Sequence, residues 1–172
     1  FLLLLTFTSV SVLAADIRSC PGEEQLKPIE KQMIERARFR ADQVVEKSYP
    51  HLSSIPIYVC MDKEERYFEA LPPAATGALN AYKIEIADVV LDPRLGISTE
   101  DDDEILRSVL AHELGHISTY IQINNPLSLF MSIVIPLTFD ESHHYVSCFE
   151  KYTDLMAIRR GYARGLQNWL AW

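Results

Sequence analysis

The residues with the clearest chemical signature form the run His112-Glu113-Leu114-Gly115-His116 near the middle of the chain. Residues four apart share one face of a helix, so the two imidazoles can bind one metal ion together. Glu113 directly follows the first histidine and is expected to point toward the open coordination position, where a carboxylate can take a proton from bound water. The pattern predicts a metal-dependent hydrolase.

A third ligand has to come from another segment, because a catalytic zinc site typically has three protein ligands and one water. The common extension, a third histidine six residues after the second, is absent, since Gln122 stands there. Glu150 and Asp154 lie four apart on a later helical segment, with the small Ala157 beside them. We predict that Glu150 binds the metal and that Asp154 accepts the free N–H of a ligating histidine. The other candidates for the third ligand are Glu141, His143 and His144.

These roles predict one zinc ion per chain, held by His112, His116 and Glu150, which lowers the pKa of a bound water to about 7. Glu113 would accept the proton of that water and pass it to the leaving amine. The oxyanion needs a second donor, and the sequence leaves that choice open. The candidates are His143, His144, Tyr145, Tyr152, Arg159 and Arg160. The two histidines could equally be surface residues, and the two arginines more often form a solvated helix end.

Helical and strand patterns surround these residues. Apolar residues recur on one face from Pro28 to about Ser48, where Pro50 ends the predicted helix. Ile55 to Cys60 is a β-branched run typical of a strand, and Asp62 to Leu71 could form a short charged helix. Tyr82 to Ile86 alternates apolar and polar residues, which predicts a half-exposed strand.

The helix that carries the two histidines has a clear beginning. Ser98 and Thr99 provide hydroxyl caps, and the acidic run Glu100 to Glu104 suits the positive end of the helix dipole. The same acidic run lacks the spaced ligands and glycine of a calcium loop. The helical pattern continues to about Ile121, and a second helix is predicted from Glu141 to Ala163.

The strand from Lys83 to Ile86 is the candidate for pairing with an extended polypeptide substrate, as in β-augmentation. For this role it has to lie at the edge of the sheet. The simpler interpretation is an ordinary edge strand that its charges protect from aggregation.

At these residues the sequence resembles the gluzincin metallopeptidases, and most closely the group of CAAX prenyl endopeptidases and bacterial heat-shock membrane metallopeptidases. The matching residues are Val109 to Ile117 and Glu150 to Ala157, with Asn80-Ala81 before a strand. The resemblance implies zinc-dependent endopeptidase activity. It also implies an α+β, zincin-like fold: a small sheet whose edge strand packs on the metal-binding helix, and a second helix that bears a ligand. The chain departs from the family at Thr153, where alanine is usual, and it lacks the family's arginine shortly before Glu150.

Composition and cysteine content limit the setting of this domain. The chain has 172 residues, 48% of them hydrophobic, and its net charge of −8 without a basic stripe argues against nucleic-acid binding. Phe1 to Ala14 are uncharged and end in small residues, which predicts a secretory signal peptide whose positive n-region is missing. Residues 15–172 then form a single exported domain, periplasmic or extracellular. In that oxidising setting one disulfide is expected among Cys20, Cys60 and Cys148, with no basis for choosing the pair.

The main alternative is a zinc-binding or chaperone-like module at the cell envelope that does not turn over substrate. It would use the uncharged stretch between the two motifs, whose continuous apolar piece runs from Leu127 to Ile135. That piece is too short to span a bilayer. It predicts either a buried hairpin helix or an element in contact with the membrane surface.

Overall fold

The protein is described from a computed structural model, which covers residues 14–62, 68–87, 100–123 and 142–170. The first long helix, α1, spans Pro28–Ser48, as predicted. Its fixed φ makes Pro28 suitable for the first turn, and the Glu30 side chain accepts a 2.6 Å bond from the Lys27 N–H. The apolar face is fully buried and consists of Ile34, Ala37, Ala41, Val44 and Val45.

A four-stranded sheet packs beside α1. The strands are β1 (Ile17–Arg18), β2 (Ile57–Asp62), β3 (Glu69–Leu71) and β4 (Tyr82–Ala87). They lie in the order β1-β2-β4-β3, with β1, β2 and β4 parallel and β3 antiparallel to β4. The β2 strand begins two residues later than predicted, and its pairing with β4 runs from Ile57 opposite Tyr82 to Asp62 opposite Ala87. The mixture of helices with this small sheet confirms the α+β class.

The prediction that Lys83 to Ile86 lies at the sheet edge is wrong. These residues belong to β4, which pairs with β2 on one side and with β3 on the other. The outer strands of the described sheet are β1 and β3. The local charge pattern assigned the residues of β3 to the end of a short helix; residues 63–67 of that segment lie outside the described part. Long-range pairing with β4 outweighs the weak local preference of residues 69–71. The predicted surface charges of β4 pair with each other instead, Lys83 with the buried Glu85.

The helix that bears the histidines, α2, spans Glu100–Ile123 and touches α1, β3 and both later helices. The acidic run Glu100 to Glu104 is helical, as predicted, while the predicted capping residues Ser98 and Thr99 lie outside the described part. Its buried face includes Leu110, Leu114 and Ile117. This helix is therefore the central support of the site.

The helix predicted from Glu141 to Ala163 ends earlier, as α3 (Ser142–Ala157). A wide turn, Ile158–Tyr162, follows it, and a further helix, α4 (Ala163–Leu170), runs beyond the predicted segment. Within that turn Gly161 has a φ of 95°, a left-handed conformation that glycine adopts without the cost a Cβ would bring. The turn redirects the chain so that α4 packs back on α2.

A disulfide joins Cys20, just after β1, to Cys60 in β2, which settles the pairing that the sequence left open. Cys148 does not take part in it and is exposed. Among the described helices, none is long and apolar enough to cross a membrane. The predicted signal peptide, apart from Ala14, and the apolar piece Leu127 to Ile135 lie outside the described residues.

Candidate metal centre

The two histidines of α2 and one carboxylate of α3 converge on one point. His112 Nε2 lies 2.9 Å from His116 Nε2 and 3.0 Å from the Oε2 atom of Glu150. The distance from His116 Nε2 to the same oxygen is 3.4 Å. All three atoms lie within 4.8 Å of one another, and the cluster could hold a metal ion.

The outward-facing nitrogens of both imidazoles are also occupied. His112 Nδ1 lies 2.8 Å from the Oδ1 atom of Asp154, and His116 Nδ1 lies 3.3 Å from the Thr153 hydroxyl. A carboxylate can only accept here, so the neutral His112 ring carries its proton on Nδ1 and keeps the Nε2 lone pair. The arrangement leaves the Nε2 atom available to bind a metal ion, as in metal sites where a second residue sets the histidine tautomer.

Aromatic rings hold His116 from the sides. The Phe149 ring centroid lies 4.9 Å away, and the Tyr120 ring is nearly parallel to the imidazole at 6.2 Å. His116 is buried, whereas 46% of the Glu150 side chain is exposed. The cluster is therefore rigid on its α2 side and open to a ligand or substrate on its α3 side.

The close approach of α2 and α3 depends on Gly115. A Cβ atom at this position would lie 2.8 Å from Thr153 Cγ2 and 3.4 Å from the Tyr49 hydroxyl. The Tyr49 hydroxyl in turn donates a buried 2.7 Å bond to the carbonyl of Ala111. Because Gly115 has no side chain, α1 and α3 can both approach α2 closely between the two histidines.

Glu113 is buried on the β3 side of the cluster. Burial raises the pKa of Glu113, although the positive charges of His116 and His112 and the nearby Ala70 backbone oppose the shift. The Tyr120 hydroxyl donates a 3.2 Å bond to the carbonyl of the same Ala70. Ala70 therefore lies between Tyr120 and the candidate general base.

The charges at the cluster favour a cation. Burial acts to lower the pKa of His112, but hydrogen bonds to Asp154 and Glu150 outweigh it and raise that pKa to about 10. The two histidines likewise hold the pKa of Glu150 well below its usual range, against the effect of burial. Two imidazole nitrogens and one carboxylate oxygen form a donor set that suits zinc, with positions left for water or substrate.

The structure thus brings together His112, Glu113, His116, Glu150 and Asp154. The structure does not describe the side chains of three candidate oxyanion donors, His143, His144 and Tyr145. The alternative ligand Glu141 also lies outside the described part. Arg160 lies elsewhere, where it donates to the carbonyls of Ser48 and Met156 and covers the Tyr49 ring. Arg159 and Tyr152 are exposed.

Sequence reasoning missed four residues around the cluster: Ala70, Tyr120, Phe149 and Thr153. Two of them carried a usable signal, because Tyr120 follows His116 by four residues on the same helical face and Thr153 precedes Asp154. Ala70 carried none, since only the pairing of β3 with β4 places it here. No protein-family model, curated protein or solved structure matches the chain.

Proposed function

We propose that this protein is a zinc-dependent endopeptidase of the gluzincin type with a zincin-like fold. The observation that carries the proposal is that the Nε2 atoms of His112 and His116 meet a carboxylate oxygen of Glu150. At the same time Asp154 accepts a hydrogen bond from Nδ1 of His112. A buried Glu113 beside this cluster supports a catalytic rather than a structural site, because a closed structural site usually has four protein ligands and needs no extra carboxylate.

The residues divide the chemistry between them. Zinc held by His112, His116 and Glu150 would supply Lewis acidity, polarising the scissile carbonyl and making a water molecule acidic enough to react near neutral pH. Glu113 accepts a proton from the attacking water and delivers it to the nitrogen of the breaking peptide bond, so that an acid and an amine leave. Its pKa, raised by burial, suits a group that both takes and returns a proton.

The polypeptide substrate is proposed to bind extended, along β3 rather than along β4. Next to α2 the outermost described strand is β3, whose middle residue Ala70 lies beside Glu113 and accepts a hydrogen bond from Tyr120. A substrate that lies along this strand would run past the general base.

The proposed setting is outside the cytoplasm, in the periplasm or the extracellular space. The Cys20–Cys60 disulfide supports it, because disulfides form and persist mainly in oxidising compartments. Contact with a membrane surface through Leu127 to Ile135 remains part of the proposal.

The test combines metal analysis with cleavage of a panel of denatured proteins. We expect one zinc per chain in wild type and in Glu113→Gln, with turnover in that variant reduced about 100-fold or more. Glu46→Gln, an exposed carboxylate on α1, is the matched control and should behave as wild type. His116→Ala should lose zinc, while His51→Ala, which removes a histidine bonded to Ser118, should keep it.

Two results would count against the proposal. Metal-dependent proteolysis that persists in Glu113→Gln would exclude the assigned mechanism. Stoichiometric zinc without cleavage of any substrate in the panel would favour the non-catalytic zinc-binding or chaperone-like module.

A further inference from the structure

Thr153 lies directly behind His116, on the side away from the other ligands. Its side chain is fully buried between α2 and α3. The hydroxyl is 3.0 Å from the carbonyl of Phe149, one turn earlier on α3, and 3.3 Å from His116 Nδ1. The methyl group faces Gly115, where a Cβ would lie only 2.8 Å away.

The two bonds of this hydroxyl assign its hydrogen. A carbonyl only accepts, so the Thr153 O–H donates to Phe149 and presents its lone pairs to His116. Those lone pairs can accept a hydrogen bond only from an Nδ1–H group. The neutral His116 ring is then held in the tautomer that leaves Nε2 bare, pointing at Glu150.

We propose that Thr153 is a positioning residue for the second histidine ligand, the counterpart of Asp154 for the first. The inference rests on the proposed metal site but not on peptidase activity. It assigns a task to the one position in the second motif where the chain departs from the alanine usual in the resembling family. Alanine at this position could not accept a hydrogen bond, so here α3 supplies a partner to both imidazoles through adjacent residues.

The expected consequence is weaker and less regular metal binding when the hydroxyl is lost. Removing a hydrogen-bond partner of a ligating histidine typically costs about 10–100-fold in metal affinity. The hydroxyl here is neutral, so we expect the lower part of that range, about 10-fold. Loss of the methyl group alone should leave the affinity near the wild-type value.

The experiment uses the full chain and measures the zinc dissociation constant by chelator competition, together with the visible spectrum of the Co²⁺-substituted protein. Thr153→Val keeps the shape and removes the hydroxyl, and Thr153→Ser keeps the hydroxyl. We expect about 10-fold weaker zinc binding and an altered Co²⁺ spectrum in the valine variant, with both restored in the serine variant. Thr119→Val is the matched control, because Thr119 bonds the carbonyl of Gly115 on the same helix without touching a ligand.

If Thr153→Val does not fold, the comparison of Thr153→Ala with Thr153→Ser isolates the same hydroxyl and decides the question. Zinc affinity and a Co²⁺ spectrum unchanged from wild type in the hydroxyl-free variants would overturn the inference. That result would leave the proposed function intact as long as Glu113→Gln still abolishes cleavage. Absence of metal binding in wild type would overturn both.

Discussion

Single atoms decide how closely the two ligand-bearing helices approach each other. Gly115 and Thr153 face one another, and the space that a Cβ at position 115 would need is filled by Thr153 Cγ2 at 2.8 Å. Sequence spacing explains the two histidines on either side of this glycine but not the glycine itself. Its requirement comes from a residue 38 positions later on α3.

Gly115→Ala should therefore destabilise the protein and weaken zinc binding together. Overpacking of a tight contact costs about 1–3 kcal/mol in the free energy of unfolding. Thr153→Ser removes the opposing methyl group, so we expect the double variant to recover most of this loss. Urea denaturation of the two single variants and the double variant measures the coupling between them. Equal losses from Gly115→Ala in both backgrounds would show that Thr153 is not the obstacle.

The ligand set was predictable to the extent that it obeys helical periodicity. His112, Glu113 and His116 follow from local spacing, and Glu150 and Asp154 share one face of a second helix in the same way. Ala70 lay beyond such reasoning, because it reaches Glu113 only through strand pairing. Local patterns carry no information about which distant backbone groups meet a side chain.

At the level of secondary structure elements, β3 is attached to α2 by a hydroxyl. Tyr120 donates to the carbonyl of Ala70, the residue that lies beside Glu113. This bond is buried, so the position of β3 relative to the candidate general base depends on it.

Tyr120→Phe should loosen β3 while leaving the metal ligands in place. The variant leaves the buried Ala70 carbonyl without its donor, which costs about 1–3 kcal/mol in the free energy of unfolding. Because β3 is the proposed substrate-binding edge, we expect a higher KM with normal zinc content. Steady-state kinetics on an unfolded protein substrate, with zinc analysis of the same samples, checks this. A wild-type KM would argue against substrate binding along β3.

The start of α2 is attached to α1 by one carboxylate that contacts three arginines. The Asp103 carboxylate lies 3.0 Å from Arg36 Nη2 and 2.7 Å from Arg40 Nε through its Oδ1 atom. Its Oδ2 atom lies 2.6 Å from Arg107 Nη2. The acidic run was predicted to be a solvated helix cap. Asp103 instead faces α1, and its ion pairs hold this end of α2 against α1.

Asp103→Asn should cost about 1–2 kcal/mol of stability at neutral pH, because it removes charged hydrogen bonds that are partly exposed. Burial acts to raise the pKa of Asp103, but hydrogen bonds from Arg36 and Arg40 and the charge of Arg107 hold it below its usual range. The contribution is thus complete above the unfolded pKa of about 3.9 and is lost as pH falls through the lower, folded value.

Thermal unfolding of the protein in the presence of a metal chelator, from pH 7 to pH 3, measures how the stability contribution of Asp103 depends on pH. The difference between wild type and Asp103→Asn should be constant above about pH 5 and shrink below about pH 4. Glu46→Gln changes an exposed carboxylate of α1 outside this cluster and serves as the control. This variant should not reproduce the stability difference seen with Asp103→Asn. A difference that grows on acidification would contradict the assignment.

The helices were more predictable than the sheet. Both α1 and α2 follow from apolar periodicity and from terminal residues close in sequence. The position of β4 inside the sheet depends instead on β3. The charged residues before β3 favoured a helix in the sequence analysis, so this strand was not predicted. Strand order is set by which segments pair over long distances, and an alternating pattern such as that of β4 cannot distinguish an inner strand from an edge.

Across the described part of the molecule, one disulfide and one candidate metal site connect different secondary structure elements. The Cys20–Cys60 disulfide ties the segment after β1 to β2, across a sequence separation of 40 residues. The candidate metal centre ties α2 to α3 through His112, His116 and Glu150. They share no residue and lie on different secondary structure elements, so each should stabilise the fold independently of the other.

Removing the metal should therefore lower stability by the same amount whether or not the disulfide is present. A ligand that binds only the folded state adds about 4 kcal/mol when its free concentration is 1,000 times its dissociation constant, and a disulfide typically adds about 2–4 kcal/mol. Denaturation of wild type and of the double variant Cys20→Ser with Cys60→Ser, each with zinc or with chelator, gives the four values needed. Equal chelator effects in both proteins are expected. A chelator effect that disappears without the disulfide would mean that the sheet crosslink holds the metal ligands in position.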